Sequence, residues 1–364
     1  MARLLVDLAL GAAHAAALGI GRMPEPLLRR LAGAPHVVDG QSLYPEVRIA
    51  RRLGALRPLP DAGVDATRDR VRRQARLLGS RPAVDRVEDL TIPGPRERLS
   101  LRVYQADPDV PPEGVLVWYH GGGWVVGGLS TADPVCRFLA LSSNLVVVSV
   151  GYGLAPEHPF PEGIDDALAA FRWVRANSRR WRPALDRLPV AVGGDSAGGN
   201  AAAVVANLAR DDDGPTGART GGPDFQLMLY PATDATTRYP SSRMFDGYGL
   251  PARRVDWYLG RYLSDPGQAK DPRVSPMLTE DLTGVAPAHV VVAGFDVLRD
   301  EGLAYAERLR RAGVPTSVQV VSGHVHAFAN ATGASRNARR HLARAARVTE
   351  AALARRVSGV RHPA

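Results

Sequence analysis

The stretch Val190-Ala191-Val192-Gly193-Gly194-Asp195-Ser196-Ala197-Gly198-Gly199-Asn200, running on to Leu208, decides how this chain is read. Pro189 to Val192 has the composition of a short buried strand, and Asn200 to Leu208 is an Ala-rich helical run. Between them, Gly194-Asp195-Ser196-Ala197-Gly198 fits G-x-S-x-G, the tight strand-to-helix turn that lifts a serine hydroxyl above a sheet edge. The glycines have a steric task there. The serine backbone is forced into a sparsely populated region, and neighbouring side chains would collide. The same turn aims the first helical amides at whatever the serine attacks. The competing interpretation is an ordinary glycine-rich turn. The strand before it and the helix after it argue for chemistry.

A serine hydroxyl is a poor nucleophile at neutral pH. It needs a base, a group that orients the base, and donors for the oxyanion. Outward from the elbow, apolar runs at 115–119, 145–150, 225–230, 289–293 and 316–321 read as strands. Helical patterns at 132–142, 164–178, 302–312 and 336–355 lie between and after them. Such alternation implies an α/β fold with a mainly parallel sheet covered by helices on both faces. Val84 to Ile92 and Leu99 to Tyr104, joined without a helix through Pro93-Gly94-Pro95, imply an antiparallel edge. Asp211 to Gly222 reads as a solvated loop.

The first 83 residues do not alternate in this way. Residues 2–20 read as an amphipathic helix with Leu4, Leu5 and Leu8 on one face, packed on the protein or resting on a membrane surface. Asp7 and His14 interrupt the run, so it suits neither a signal peptide nor a membrane span. Two more helical patterns, 45–53 and 64–78, are separated by Pro58 and Pro60. The sheet pattern is interrupted again at 232–284, where Tyr239, Phe245, Tyr248, Trp257, Tyr258 and Tyr262 concentrate aromatics in a chain with only 6% of them. That insertion is either a packed unit with a small core or a cap that pairs with the N-terminal helices over the sheet edge; the two are compatible.

Composition narrows the function classes. The net charge is +9 and Lys270 is the only lysine, but the arginines are scattered and no aromatic-interleaved basic groove is visible, so nucleic acid is not an expected partner. Cys136 is the only cysteine, which excludes an internal disulfide, and no Cys/His cluster has zinc spacing.

Ligands of open α/β sheets sit beyond the carboxyl ends of the strands. After the 115–119 strand stands His120-Gly121-Gly122-Gly123, where backbone amides can reach a ligand oxygen with no side chain in the way. This reads as an oxyanion hole built together with the Ala197 amide. His120 reads as an organiser of that loop. Asp296 follows the 289–293 strand; His324 and His326 follow the last strand. Serine, aspartate, histidine is the chain order of an α/β-hydrolase triad. Asp195 is too close to Ser196 to orient the base, and Asp300 and Glu301 read as helix-start caps. Spacing alone leaves both His324 and His326 open as the base. Trp124, Val125 and Val126, beside the glycines, are candidates for an apolar acyl pocket.

Taken together, His120-Gly121-Gly122-Gly123, Gly194 to Asn200, Asp296 to Gly302 and His326-Ala327-Phe328 resemble the hormone-sensitive-lipase-like carboxylesterases, in the bacterial branch with Gly-Asp-Ser-Ala-Gly. Leu154 to Pro161 and Asp271 to Pro276 match the same family. The resemblance spans roughly residues 85–350. It implies an α/β-hydrolase fold with Ser196 as nucleophile, His326 as base and Asp296 as orienting acid, and an oxyanion hole from Gly121, Gly122 and Ala197. It implies no cofactor, and members are often dimers. On this basis residues 1–83 contribute to a cap, 84–231 and 271–355 form the catalytic core, and 232–270 is the cap insertion. Gly153 stands where the family usually has arginine, and Ala327 where it has glycine. The expected activity is hydrolysis of short- to medium-chain acyl esters. Amide, lactone or lactam cleavage by the same triad is one alternative, and a non-catalytic small-ligand receptor is another. The cytoplasm is the expected compartment, with membrane or envelope association as the alternative.

Overall fold

Apolar runs flanked by turn residues become an eight-stranded sheet in the computed structural model, which describes residues 2–54, 63–212 and 221–360. The side chains of 2–10 and 358–360 lie outside the described residues, and with them the Leu4, Leu5 and Leu8 face. So do Pro58, Pro60 and residues 213–220 of the expected loop.

The N-terminal part holds α1 (Ala2–Arg22), α2 (Glu25–Ala32), a small hairpin of β1 (Val37–Val38) and β2 (Gln41–Ser42), α3 (Pro45–Arg52) and α4 (Val64–Leu78). The sheet begins with β3 (Arg86–Pro93), β4 (Arg98–Gln105) and β5 (Gly114–Tyr119). There follow α5 (Leu129–Leu141), β6 (Leu145–Gly151) and α6 (Glu162–Ala176), then β7 (Val190–Asp195), α7 (Ala197–Ala209) and β8 (Phe225–Leu229). After α8 (Pro240–Met244) and α9 (Ala252–Tyr262), the chain returns to the sheet through β9 (Ala288–Phe295), α10 (Arg299–Arg311) and β10 (Thr316–Val325), and closes with α11 (Arg336–Val360).

The strand order is β10-β9-β8-β7-β5-β6-β4-β3. The run from β10 to β6 is parallel, and β4 and β3 are antiparallel at one edge. The reason lies in side-chain alternation. Every residue of β5 is buried. Val115, Val117 and Tyr119 face the helix layer of α6, α7 and α10, while Leu116 and Trp118 face that of α5 and α11. Strand β4 alternates buried and exposed positions over its first half, and β3 at the edge is buried only at Ile92, as an edge with a wet face requires.

Several boundaries differ from the sequence reading, three of them next to the site. Strand β7 runs through Gly193 and Gly194 to Asp195, because Gly193 pairs with Trp118 and Gly194 with Tyr119. Strand β10 continues past a register irregularity to Val325. Helix α10 starts at Arg299, three residues before the expected Gly302. Helix α2 and the β1–β2 hairpin had no expectation at all; two-residue strands carry no periodicity to detect.

The N-terminal segment and residues 240–262 lie against the carboxyl edge of the sheet. Phe245 packs with Leu43 and Val47 of the N-terminal part and with Phe295 and Val325 at the ends of β9 and β10. Tyr262 stacks on Trp124 at 4.6 Å, with the rings 5° from parallel. The insertion's aromatics therefore pack on the strand ends more than on one another. The His14 imidazole Nδ1 donates to Leu77 O on α4 (2.9 Å), and Arg339 of α11 donates to Gly21 O (2.8 Å), which seats the second half of α1. Among the described residues no helix is long and apolar enough to cross a membrane.

Candidate active site

The turn from β7 into α7 places Ser196 at φ 56°, ψ −118°, outside the regions that L-residues prefer. Three backbone contacts hold it there: Ser196 N donates to Leu229 O (2.9 Å), and Ser196 O accepts from Asn200 N (3.0 Å) and Ala232 N (3.3 Å). The flanking glycines are sterically required. A Cβ on Gly198 would overlap the Tyr119 carbonyl, and one on Gly194 would overlap Gly198 O.

Asp296 directly follows β9 and His326 directly follows β10. The His326 Nδ1–H donates to Asp296 Oδ2 (2.7 Å), and Nε2 accepts from the Ser196 hydroxyl (2.9 Å). The second Asp296 oxygen accepts from Leu298 N (3.0 Å), so the carboxylate cannot rotate away. The Tyr230 ring meets the imidazole edge-on, centroids 4.9 Å apart. Three residues from distant parts of the chain thus form one hydrogen-bonded line, with Asp296 and His326 buried.

His324, the other candidate, sits inside β10 and faces away into the helices. Its Nε2–H donates to Ser335 Oγ (2.9 Å), which in turn donates to Glu46 Oε1 (2.6 Å). Burial pushes its pKa down to about 4, so it stays neutral. His120 is also buried and neutral, pushed down to about 4. It stacks on Tyr152 at 4.4 Å, and its Nδ1–H donates to Gly121 O (2.8 Å). That is the loop-organising part read for it.

The expected oxyanion donors need one correction. Gly121 N already donates to Asp195 Oδ1 (2.8 Å), so this amide is not available to a substrate. The amides of Gly122, Gly123 and Ala197 have no acceptor among the described residues. Gly122 (φ 131°) and Gly123 (φ 58°) adopt backbone conformations that a side chain would oppose. The glycine pattern alone could not say which amide is free. That depends on the pairing of Gly194 with Tyr119, which brings the Asp195 carboxylate under Gly121.

The family with the α/β-hydrolase fold matches residues 116–330. Over 325 residues the chain is 41% identical to carboxylic ester hydrolase LipN of Mycobacterium tuberculosis, covering 85% of this chain and 83% of that protein. It is 35% identical to ethyl acetate hydrolase of Pseudomonas putida, covering 78% and 88% respectively. Among solved structures, a Pyrobaculum calidifontis esterase superposes with a TM-score of 0.76 at 36% identity, over 83% of this chain and 97% of that one. This chain belongs to the hormone-sensitive-lipase-like α/β hydrolases.

In this hydrolase a cavity of about 60 Å³ lies between Trp124, Ala232, Val274, Leu298, Leu259 and Tyr239, and no triad residue lines it. Of the three residues expected to line an acyl pocket, only Trp124 lines this cavity. Val125 and Val126 are fully buried in the cluster with Ala155 and Phe160, because the loop folds back so that both their amides donate to Gly122 O.

Glu301 also reaches this cavity, and it is not the helix cap expected from its position. Its carboxyl is buried and accepts from Thr233 N (2.7 Å), which fixes the loop after β8. Burial, with the nearby Asp234 and Asp296 charges, raises its pKa to about 8. Asp300 likewise turns outward to accept from Ser241 N (2.9 Å). Arg68 of α4 was not singled out from sequence. It donates to Val125 O (3.0 Å), Ala155 O (3.1 Å) and both oxygens of Glu157, tying the N-terminal part to the glycine loop. Its only signal was its presence in an Arg-rich helix, which did not separate it from its neighbours. The two departures from the family pattern are accommodated. Gly153 leaves room for the His158 side chain, and Ala327 adopts a left-handed conformation, φ 61°.

Proposed function

We propose that this carboxylic ester hydrolase works through an acyl-enzyme on Ser196. As the Ser196 hydroxyl attacks the ester carbonyl, His326 Nε2 takes its proton, and Asp296 holds the imidazole in the required tautomer and stabilises the imidazolium. The amides of Gly122, Gly123 and Ala197 receive the tetrahedral oxyanion. The C–O bond then breaks as His326 returns the proton to the leaving alkoxide. Water repeats the sequence to release the acid and free the serine.

The observation that carries this reading is the unbroken hydrogen-bonded line Asp296–His326–Ser196 beside three amides without acceptors. The relative named for ethyl acetate favours short acyl groups over long ones. The test is turnover of a p-nitrophenyl ester series by the wild type and Ser196→Ala. Short esters should be cleaved fastest, with the variant inactive on all of them. A profile rising steadily toward long chains would defeat the short-chain reading, and an active Ser196→Ala would defeat the mechanism.

A further inference from the structure

The face built by α2, the β1–β2 hairpin and α3 takes no part in this chemistry, yet its composition is unusual for an idle surface. Leu27, Leu31, Val37 and Leu53 are 45% to 75% exposed. Leu27 and Leu31 stand one turn apart on α2. Arg52 Nη1 donates to Leu31 O (3.2 Å), which brings the end of α3, with Leu53, against the end of α2.

Arg48 stands one turn before Arg52 on α3, close to Arg29. Its side chain is 8% exposed, and its guanidinium has no hydrogen-bond or ion-pair partner among the described residues; Nε is closed off from solvent without an acceptor. Burial and the like charges of Arg29 and Arg52 depress its pKa. A buried cation costs stability unless an acceptor reaches it. The acids of this stretch are already engaged elsewhere: Glu25 with Arg29, Asp39 with Arg299 (2.8 Å), and Glu46 with Ser335 (2.6 Å). Among the described residues the positive charge of Arg30, Arg48 and Arg52 is left without a local counterion.

We propose that this face docks the enzyme on an anionic phospholipid surface, with Arg48 and Arg52 taking a lipid phosphate and Leu27, Leu31 and Leu53 entering the apolar layer. Guanidinium groups suit phosphate oxygens through paired hydrogen bonds. A free phosphate would account for the arginines but not for the leucines around them. Leucines beside cations are the pattern of an interfacial element. The face also has a functional position. Leu43 and Val47, behind it, pack on Phe295 and Val325, the residues just before Asp296 and His326. Docking would hold the reactive edge of the sheet beside the lipid.

Flotation of the full-length enzyme with vesicles tests this. Binding is expected on vesicles mixing phosphatidylcholine and phosphatidylglycerol, weakened by salt and absent on phosphatidylcholine alone. Arg48→Met keeps the volume without the charge. It should bind the mixed vesicles about fivefold more weakly, with a melting temperature no lower than the wild type's. The exposed pair Leu27→Ser/Leu31→Ser should cost about tenfold or more, so the test does not depend on the Arg48 variant folding. Equal binding to neutral and mixed vesicles, or variants that bind like the wild type, overturns the proposal. So does a rise in melting temperature with inorganic phosphate that is lost in Arg48→Met while no form binds vesicles, which would mark a site for free phosphate.

Discussion

The elbow around Ser196 and the layer lying over it hold their residues by different means. At the elbow the backbone does the holding. Ser196 is strained, Gly194 and Gly198 pass too close to carbonyl oxygens for any side chain, and Gly121 is fastened by Asp195. In the overlying layer side chains do it: the Tyr262–Trp124 stack, the Phe245 cluster and the branched contacts of Arg68. A backbone-held site is precise and intolerant of added atoms, whereas a side-chain-held layer can change shape by substitution. Chemistry belongs to the first, and substrate choice can vary in the second.

The sharpest test removes only chemistry. Ser196→Ala should lower kcat by about 10⁶ while the melting temperature stays close to that of the wild type, since the backbone and its strain are unchanged. Asp296→Asn should lower kcat by about 10⁴ through the wrong imidazole tautomer, again with the fold intact by circular dichroism. Gly122→Ala attacks the backbone instead. Its φ of 131° and the approach of Val126 O oppose a side chain, so turnover should fall about 10²- to 10³-fold as for a lost oxyanion donor, together with a lower melting temperature. If Gly122→Ala leaves both unchanged, the contrast between the two regions fails.

Glu301 joins the two regions, and its effect is on stability. Its pKa is raised from 4.5 to about 8, so its neutral form is fully in place below pH 4.5 and is lost as pH rises through 8. Wild-type stability should therefore decline relative to Glu301→Gln across that window, by a few kcal/mol in total. Denaturant melts at several pH values read this directly, and parallel curves would refute it. The smallest effect expected is at Ala327. Its left-handed backbone costs an alanine about 1–2 kcal/mol, partly offset by the extra freedom glycine has when unfolded. Ala327→Gly should thus stabilise by less than about 1 kcal/mol, measurable as a small rise in melting temperature.

Much of this was legible in the chain itself. Strands β5 to β9 are apolar on both faces, so they announce a covered parallel sheet, and the residues standing just after them can be read off in order. His324 and His326 were harder. They lie two residues apart, and spacing cannot say which one the irregularity in β10 turns toward Ser196. Of the three amides expected to form the oxyanion hole, Gly122 and Ala197 are free, but Gly121 is claimed by Asp195, a contact set by strand register and invisible in a run of three glycines. Glu301 looked like a helix cap because its partner, Thr233, lies 68 residues away.

The Arg68 clasp bears on how such hydrolases can exchange parts. Its guanidinium reaches Val125, Ala155 and Glu157, and the Glu157 carboxyl is held down at about 2 by that cation. A chimera joined between α4 and the 155–157 loop would take the arginine from one parent and its acceptors from the other. Such crossovers should survive only where both parents carry the same pairing, so the two segments are inherited as one block although the chain separates them by 89 residues.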